Sequence, residues 1–284
     1  MMEAEFTKLL KQAEEPPRAE PGDYIDPVSH LLYCGKCRTA KQHRIHLFGK
    51  EYVVTCVCQC EHERREAERE AQRRKEQLIA INRMKAAGLQ DKALKNYTFA
   101  NDIGDNPNMP KAKNYVKHWK EMYSENIGLF LYGNVGTGKS FFAGCIANAL
   151  IEQGVPVLMT NFSKVLNSLT RMFEEDRNAY IESLNKYHLL IIDDLGIERN
   201  TEYAMEQVFG VIDGRYRSGK PMIITTNLSW FDITHPRDLM HVRIYDRIRE
   251  VCQPIAFTGR NYRSENAENK RRKTVQLLST ERRE

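Results

Sequence analysis

The chain has 284 residues, with 43 Lys and Arg against 38 Asp and Glu, a formal net charge of +5, and 41% hydrophobic residues. At roughly 100–200 residues per domain this allows one or two domains. The mean hydropathy of −0.59, the lack of any run near the ~18 apolar residues of a membrane span, and an N-terminus without an apolar signal core exclude a membrane protein and predict a cytoplasmic one. A +5 balance excludes a strongly acidic chain and by itself identifies no partner.

In chain order, Glu3–Glu14 reads as a short amphipathic helix, and Pro16-Pro17, Pro21-Gly22 and Pro27 mark a loop. Five of the seven cysteines then crowd together: Cys34, Cys37, Cys56, Cys58 and Cys60. An odd count without a secretion signal favours metal over disulfides. Cys34-Gly35-Lys36-Cys37 is a knuckle in which Gly35 is expected to permit the tight turn. Tyr52–Thr55 reads as a strand, and Cys56-Val57-Cys58-Gln59-Cys60 follows it. Two thiolate pairs suit closed, tetrahedral, structural Zn²⁺. The expected ligands are Cys34, Cys37, Cys58 and Cys60, with Cys56 next and His43, His46 and His62 as alternatives. So short a module buries little apolar surface, so the metal would supply its folding energy. Residues 1–60 are therefore expected to form a zinc-binding domain.

Residues 61–95 change character. The run from Glu61 to Ala87 is rich in Glu, Arg and Ala, with opposite charges at helical spacing and almost no apolar stripe in its first half. It predicts a solvated linker helix that stops at Gly88. From residue 96, apolar runs alternate with helical patterns: Gly128–Tyr132 then Ser140–Gln153, Val157–Thr160 then Phe162–Phe173, Leu189–Ile192 then Glu202–Ser218, then Met222–Thr226. This alternation predicts an α/β domain with a parallel sheet between helices. The polar stretch 264–284 is expected to be disordered.

Gly133-Asn134-Val135-Gly136-Thr137-Gly138-Lys139-Ser140 matches G-x-x-x-x-G-K-[ST] completely, between a strand and a helix. Such a loop points N–H groups at phosphates, its Lys reaches the β- and γ-phosphates, and its Ser hydroxyl binds Mg²⁺. The apolar run His188–Ile192 ends in Asp193-Asp194, where ligands bind in such sheets. Asp193 is expected to hold Mg²⁺ and Asp194 to orient or deprotonate the attacking water. Asn227, ending the run Met222–Thr226, is expected to position that water if its strand lies between the other two. ATP and Mg²⁺ are the expected ligands.

These three strand ends resemble those of AAA+ ATPases. More narrowly, the chain resembles bacterial and phage helicase loaders of the DnaC/DnaI type and the related IstB-like transposition ATPases. The narrower match rests on GNVGTGKS, on Asp193-Asp194, on Arg243-Ile244-Tyr245-Asp246-Arg247-Ile248-Arg249-Glu250, and on Phe257-Thr258-Gly259-Arg260-Asn261-Tyr262-Arg263. The resemblance covers residues 96–263. It implies that Arg247 is an arginine finger acting on a neighbouring subunit, Arg263 a sensor-2 arginine acting within its own subunit, and Asn227 a sensor-1 residue. It further implies an ATPase that loads the replicative DNA helicase in DNA replication, binds single-stranded DNA, self-associates with ATP, and docks on the helicase through its N-terminal domain. An IstB-like transposition helper acting on duplex DNA is the alternative. By the same resemblance the segment Asn161–Phe173 helps contact single-stranded DNA, with Lys164, Arg171 and Phe173 as candidates, although Leu166, Leu169 and Phe173 also make an ordinary apolar face. Near Asn96-Tyr97-Thr98-Phe99, an aromatic ring either stacks on adenine or belongs to the core.

Overall fold

The computed structural model describes residues 19–47, 49–196 and 201–278. The expected helix Glu3–Glu14 lies outside them. The chain divides into two compact units, residues 1–78 and 79–284, and each is described by itself. None of the described helices is long and apolar enough to cross a membrane.

In the first unit, β1 (Tyr24–Ile25) pairs antiparallel with β2 (Leu32–Tyr33), and β3 (Gln42–Leu47) with β4 (Lys50–Thr55). The sequence shows only the last of these strands. Among this unit's described residues the buried apolar ones are Leu31, Cys34 and Cys58. Helix α1 (Gln59–Gly88) starts at the second cysteine cluster and passes through the residue at which the units divide. The charged segment is thus helical as expected, and the division between the compact units falls inside it.

In the second unit come α2 (Met109–Lys117), α3 (Trp119–Ser124), β5 (Gly128–Gly133), α4 (Lys139–Glu152), β6 (Val157–Asn161), α5 (Phe162–Thr170), α6 (Glu174–Leu184), β7 (Leu189–Leu195), α7 (Glu202–Arg217), β8 (Met222–Thr226), α8 (Trp230–Thr234), α9 (Leu239–Val251), β9 (Cys252–Phe257) and α10 (Tyr262–Leu278). The five strands form one parallel sheet in the order β6-β7-β8-β5-β9. Apolar clusters cover both faces. One is built around Phe142, Ile146 and Leu150 of α4, the other around Val165, Val208 and Ile248 of α5, α7 and α9. This explains why Leu189–Ile192 and Met222–Thr226 are buried throughout. The fold is α/β, as expected.

Two expectations are corrected. Phe162–Phe173 is not one helix. Phe173 is extended and caps α6, whose first turn carries Glu174, Glu175 and Asp176, acids favoured at a helix N-terminus. Arg177 Nε donates back to the carbonyls of Leu169 and Met172 at the end of α5. Residues 264–278 of the tail read as disordered instead continue α10, which begins where the Tyr262 N–H bonds the Gly136 carbonyl at 2.9 Å.

Candidate nucleotide site and cysteine cluster

The strand order brings the ends of β5, β7 and β8 side by side, with β8 between the other two. Gly133 ends β5 at φ 122°, and a Cβ there would lie 2.3 Å from the Phe257 carbonyl oxygen, so only glycine fits. Gly138 is left-handed and caps α4. Lys139 is 5% exposed. Its Nζ donates to the carbonyls of Gly133 (2.8 Å) and Asn134 (2.7 Å) and to Asn227 Oδ1 (2.9 Å). Burial pulls its pKa down, opposed by the charges of Asp194 and Asp193.

Ser140 Oγ donates to Asp193 Oδ1 at 2.9 Å. The Thr225 hydroxyl donates to the same oxygen at 2.6 Å and accepts the Asp194 N–H at 2.9 Å. Burial pushes the Asp193 carboxyl up, the Asp194 charge adds to this, and the two hydroxyls oppose it. Asp194 sits at φ 59°, where β7 slips register against β8 between Ile192 and Leu195. A left-handed non-glycine residue is costly and is held only by its surroundings. The bulge turns Asp194 toward the cavity, and Asn227 Nδ2 approaches its Oδ1 at 3.4 Å.

A cavity of about 350 Å³ opens over the loop, lined by Gly136–Phe141, Asp194, Asn227, Tyr262 and Arg263. Tyr97, Asn101, Asp102, Ile103 and Asn106 line it as well. Tyr97 lines the cavity and also packs edge-on against Phe141 at 5.3 Å. Phe99 lies against the core with Lys113 Nζ 5.8 Å from its ring centre. Arg247 does not line this cavity. Its Nε donates to Asp213 Oδ1 at 2.5 Å, and its guanidinium lies 4.7 Å from the Phe209 ring centre. The sequence reading missed Thr225, whose signal was a hydroxyl ending an apolar strand, and Asn106, which no motif marks.

In the first unit the Sγ atoms of Cys34, Cys37, Cys58 and Cys60 all lie within 4.8 Å of one another. Four convergent thiols are the donor set of a closed tetrahedral metal site. The Thr39 hydroxyl, 3.1 Å from Cys37 Sγ, is the main cause that brings that thiol down to about 5. Cys56 stays outside and bonds the Ala40 carbonyl at 3.2 Å. The turn spans Gly35–Cys37 as expected, and the left-handed residue, at φ 57°, is Arg38 just after it. Gly35 is needed because a Cβ there would lie 2.0 Å from the Gly22 carbonyl oxygen.

Among curated proteins, this chain is similar to the replicative helicase loader DnaC of Escherichia coli K12, 28% identical over 145 residues that cover 50% of this chain and 56% of that protein. It is similar to the loader DnaI of Bacillus subtilis, 26% identical over 178 residues, covering 57% and 56%. A putative ATP-binding protein in an insertion sequence of Mycobacterium tuberculosis is 26% identical over 196 residues, covering 67% and 76%. The chain thus spans only about half the length of the two loaders. A crystal structure titled DnaI shares the fold at TM-score 0.50 and 22% identity, covering 61% of this chain and 93% of that one. The family model described as IstB-like ATP binding protein matches residues 51–270, and with the phosphate loop and parallel sheet this makes the chain a member of the IstB-like ATP-binding family.

Proposed function

We propose that this protein is an ATP-dependent loader of a replicative DNA helicase. The observation that carries the reading is the combination of a loader-like ATPase unit with a separate four-cysteine module ahead of it. In this reading residues 1–60 grip the helicase, 61–95 link, 96–263 form the ATPase, and the protein works in the cytoplasm.

Lys139 contacts the β- and γ-phosphates, whose oxygens also accept from the N–H groups of residues 133–140. Ser140 and Asp193 offer a hydroxyl and a carboxylate to Mg²⁺, which when bound neutralises phosphate charge. Asp194, with Asn227 beside it, orients the attacking water. Arg263 acts on its own subunit's nucleotide. Arg247, outside its own cavity, acts on that of the next subunit, so ATP favours a homo-oligomer. Guanidinium suits both tasks because it is always charged and binds phosphate oxygens bidentately. Cys34, Cys37, Cys58 and Cys60 hold structural Zn²⁺.

For single-stranded DNA the favoured side chains are Phe173, 84% exposed, and Arg171 beside it. Lys164 is a weaker candidate, because Asp91 already holds its Nζ at 2.7 Å. The second reading is a transposition helper on duplex DNA, favoured by the longer coverage of the insertion-sequence relative. Immobilised full-length protein, offered the purified hexameric helicase of its own organism with ATP, separates them. Retention of the helicase with preference for single-stranded DNA is expected. No retention, with preference for duplex, overturns the loader reading.

A further inference from the structure

The loop before α2 carries a side chain whose bonding capacity the fold leaves half used. Asn106 Oδ1 accepts from the Asn108 N–H at 3.0 Å, which fixes the orientation of the amide. Its Nδ2 is buried and has no partner among the described residues. Buried N–H groups are nearly always paired, so an unpaired one calls for an explanation. The loop is also fastened. Arg260 Nη1 donates to Asp105 Oδ2 at 2.6 Å, and Asn108 Nδ2 donates to the Ala256 carbonyl at 2.9 Å.

The unpaired donor faces the phosphate loop. A Cβ at Gly138 would lie 3.3 Å from Asn106 Nδ2 and 3.7 Å from the Tyr262 ring. Gly138, Asn106 and Tyr262 all line the nucleotide cavity. In a loop of this kind the backbone N–H groups hold the α- and β-phosphates while the lysine reaches the β- and γ-phosphates. The residue just before Lys139, at the start of α4, is therefore among those that hold the α- and β-phosphates.

We propose that Asn106 is a nucleotide-positioning residue whose Nδ2 donates to a non-bridging α-phosphate oxygen of bound ATP. The inference rests on the ATP site described above. A fastened donor costs little ordering on binding and fixes where the nucleoside leaves the phosphate chain. An asparagine serving only the turn would need nothing but Oδ1.

The test is equilibrium binding of ATP and of the two diastereomers of adenosine 5′-O-(1-thiotriphosphate) to the full chain. EDTA is present, so that a preference between diastereomers comes from the protein alone. The wild type is expected to prefer one diastereomer, because sulfur is a poor acceptor. Asn106→Ala is expected to weaken ATP by roughly tenfold, as for a hydrogen bond to a charged group, and to abolish the preference. Asn106→Asp keeps the turn acceptor but sets a carboxylate beside the phosphate, so it is expected to bind ATP more weakly than Asn106→Ala. A general loosening of the loop would weaken every ligand and leave the preference intact. An unchanged preference in Asn106→Ala, or wild-type affinity in Asn106→Asp, overturns the proposal. Lys139→Ala is the control: if it binds ATP normally, the ATP site itself has been misread.

Discussion

The Ser140 hydroxyl donates to Asp193 Oδ1 at 2.9 Å across 53 residues of sequence. This bond joins the phosphate loop to the end of β7, and Thr225 of β8 reaches the same oxygen. Asp193→Asn is expected to cut hydrolysis at least about a hundredfold, the scale of losing a group that stabilises transition-state charge, while ATP binding changes little. It is also expected to stabilise the fold. Burial raises the carboxyl's pKa in the folded chain. Such a group stabilises below its unfolded value, and that stability is lost as pH rises through the raised one. At pH 7 the ionised form is a net cost, so in Mg²⁺-free buffer the variant should melt at a higher temperature. The difference should shrink toward pH 4. Calorimetry across that range checks the sign.

Lys139 is buried and its pKa is lowered. Phosphates would raise it again, so ATP binding takes up protons as the pH approaches the lowered value. Affinity should fall on the alkaline side earlier than an exposed lysine would allow. Lys139→Ala should lose roughly ten- to a hundredfold in affinity, the scale of charge-assisted bonds, and lose the alkaline dependence as well. Calorimetric titrations at several pH values measure both.

Arg247 is gripped by Asp213 and lies over Phe209. Arg247→Ala is expected to leave ATP binding intact and lower hydrolysis by about 10³ or more, the usual scale for such an arginine. Mixing it with Lys139→Ala subunits, which still offer Arg247, should restore part of the activity. Phosphate release from the mixture checks this, and no restoration would argue against action between subunits.

The four-cysteine cluster predicts one zinc ion per full-length chain. Cys37→Ser and Cys58→Ser should lose it, whereas Cys56→Ser should keep it, because Cys56 bonds a carbonyl outside the cluster. Chelation should unfold residues of the first unit, since metal binding there is folding energy. Metal analysis with hydrogen exchange reads both effects.

Phe173 is almost fully exposed. Phe173→Ala should weaken single-stranded DNA binding by about 1–3 kcal/mol, the scale of one base stacked on an aromatic ring, and should leave thermal stability unchanged. Fluorescence anisotropy with an oligothymidine measures it.

The buried strands were legible because both faces of the sheet are covered, which leaves unbroken apolar runs such as Leu189–Ile192. The edge strand β9 was not, because CQPIAF alternates burial and carries Pro254, a residue that edge strands tolerate. Helix α10 was not legible because it has no buried residue, so no apolar stripe marks it. The phosphate loop was legible in full because its chemistry is local in sequence. Asp194's bulge and Thr225's two hydrogen bonds depend on the pairing of β7 with β8, which no local pattern encodes. Gly35 lies in the turn its motif predicts, but the Gly22 carbonyl packed against it, which no local pattern encodes, is what a side chain there would strike.

ATP-dependent helicase loading is read directly as the transfer of the organism's hexameric helicase onto a closed single-stranded circle. Full-length protein with ATP should load it, and Lys139→Ala should bind the helicase without loading it. Equal loading by both proteins, or none by the wild type, would contradict the account.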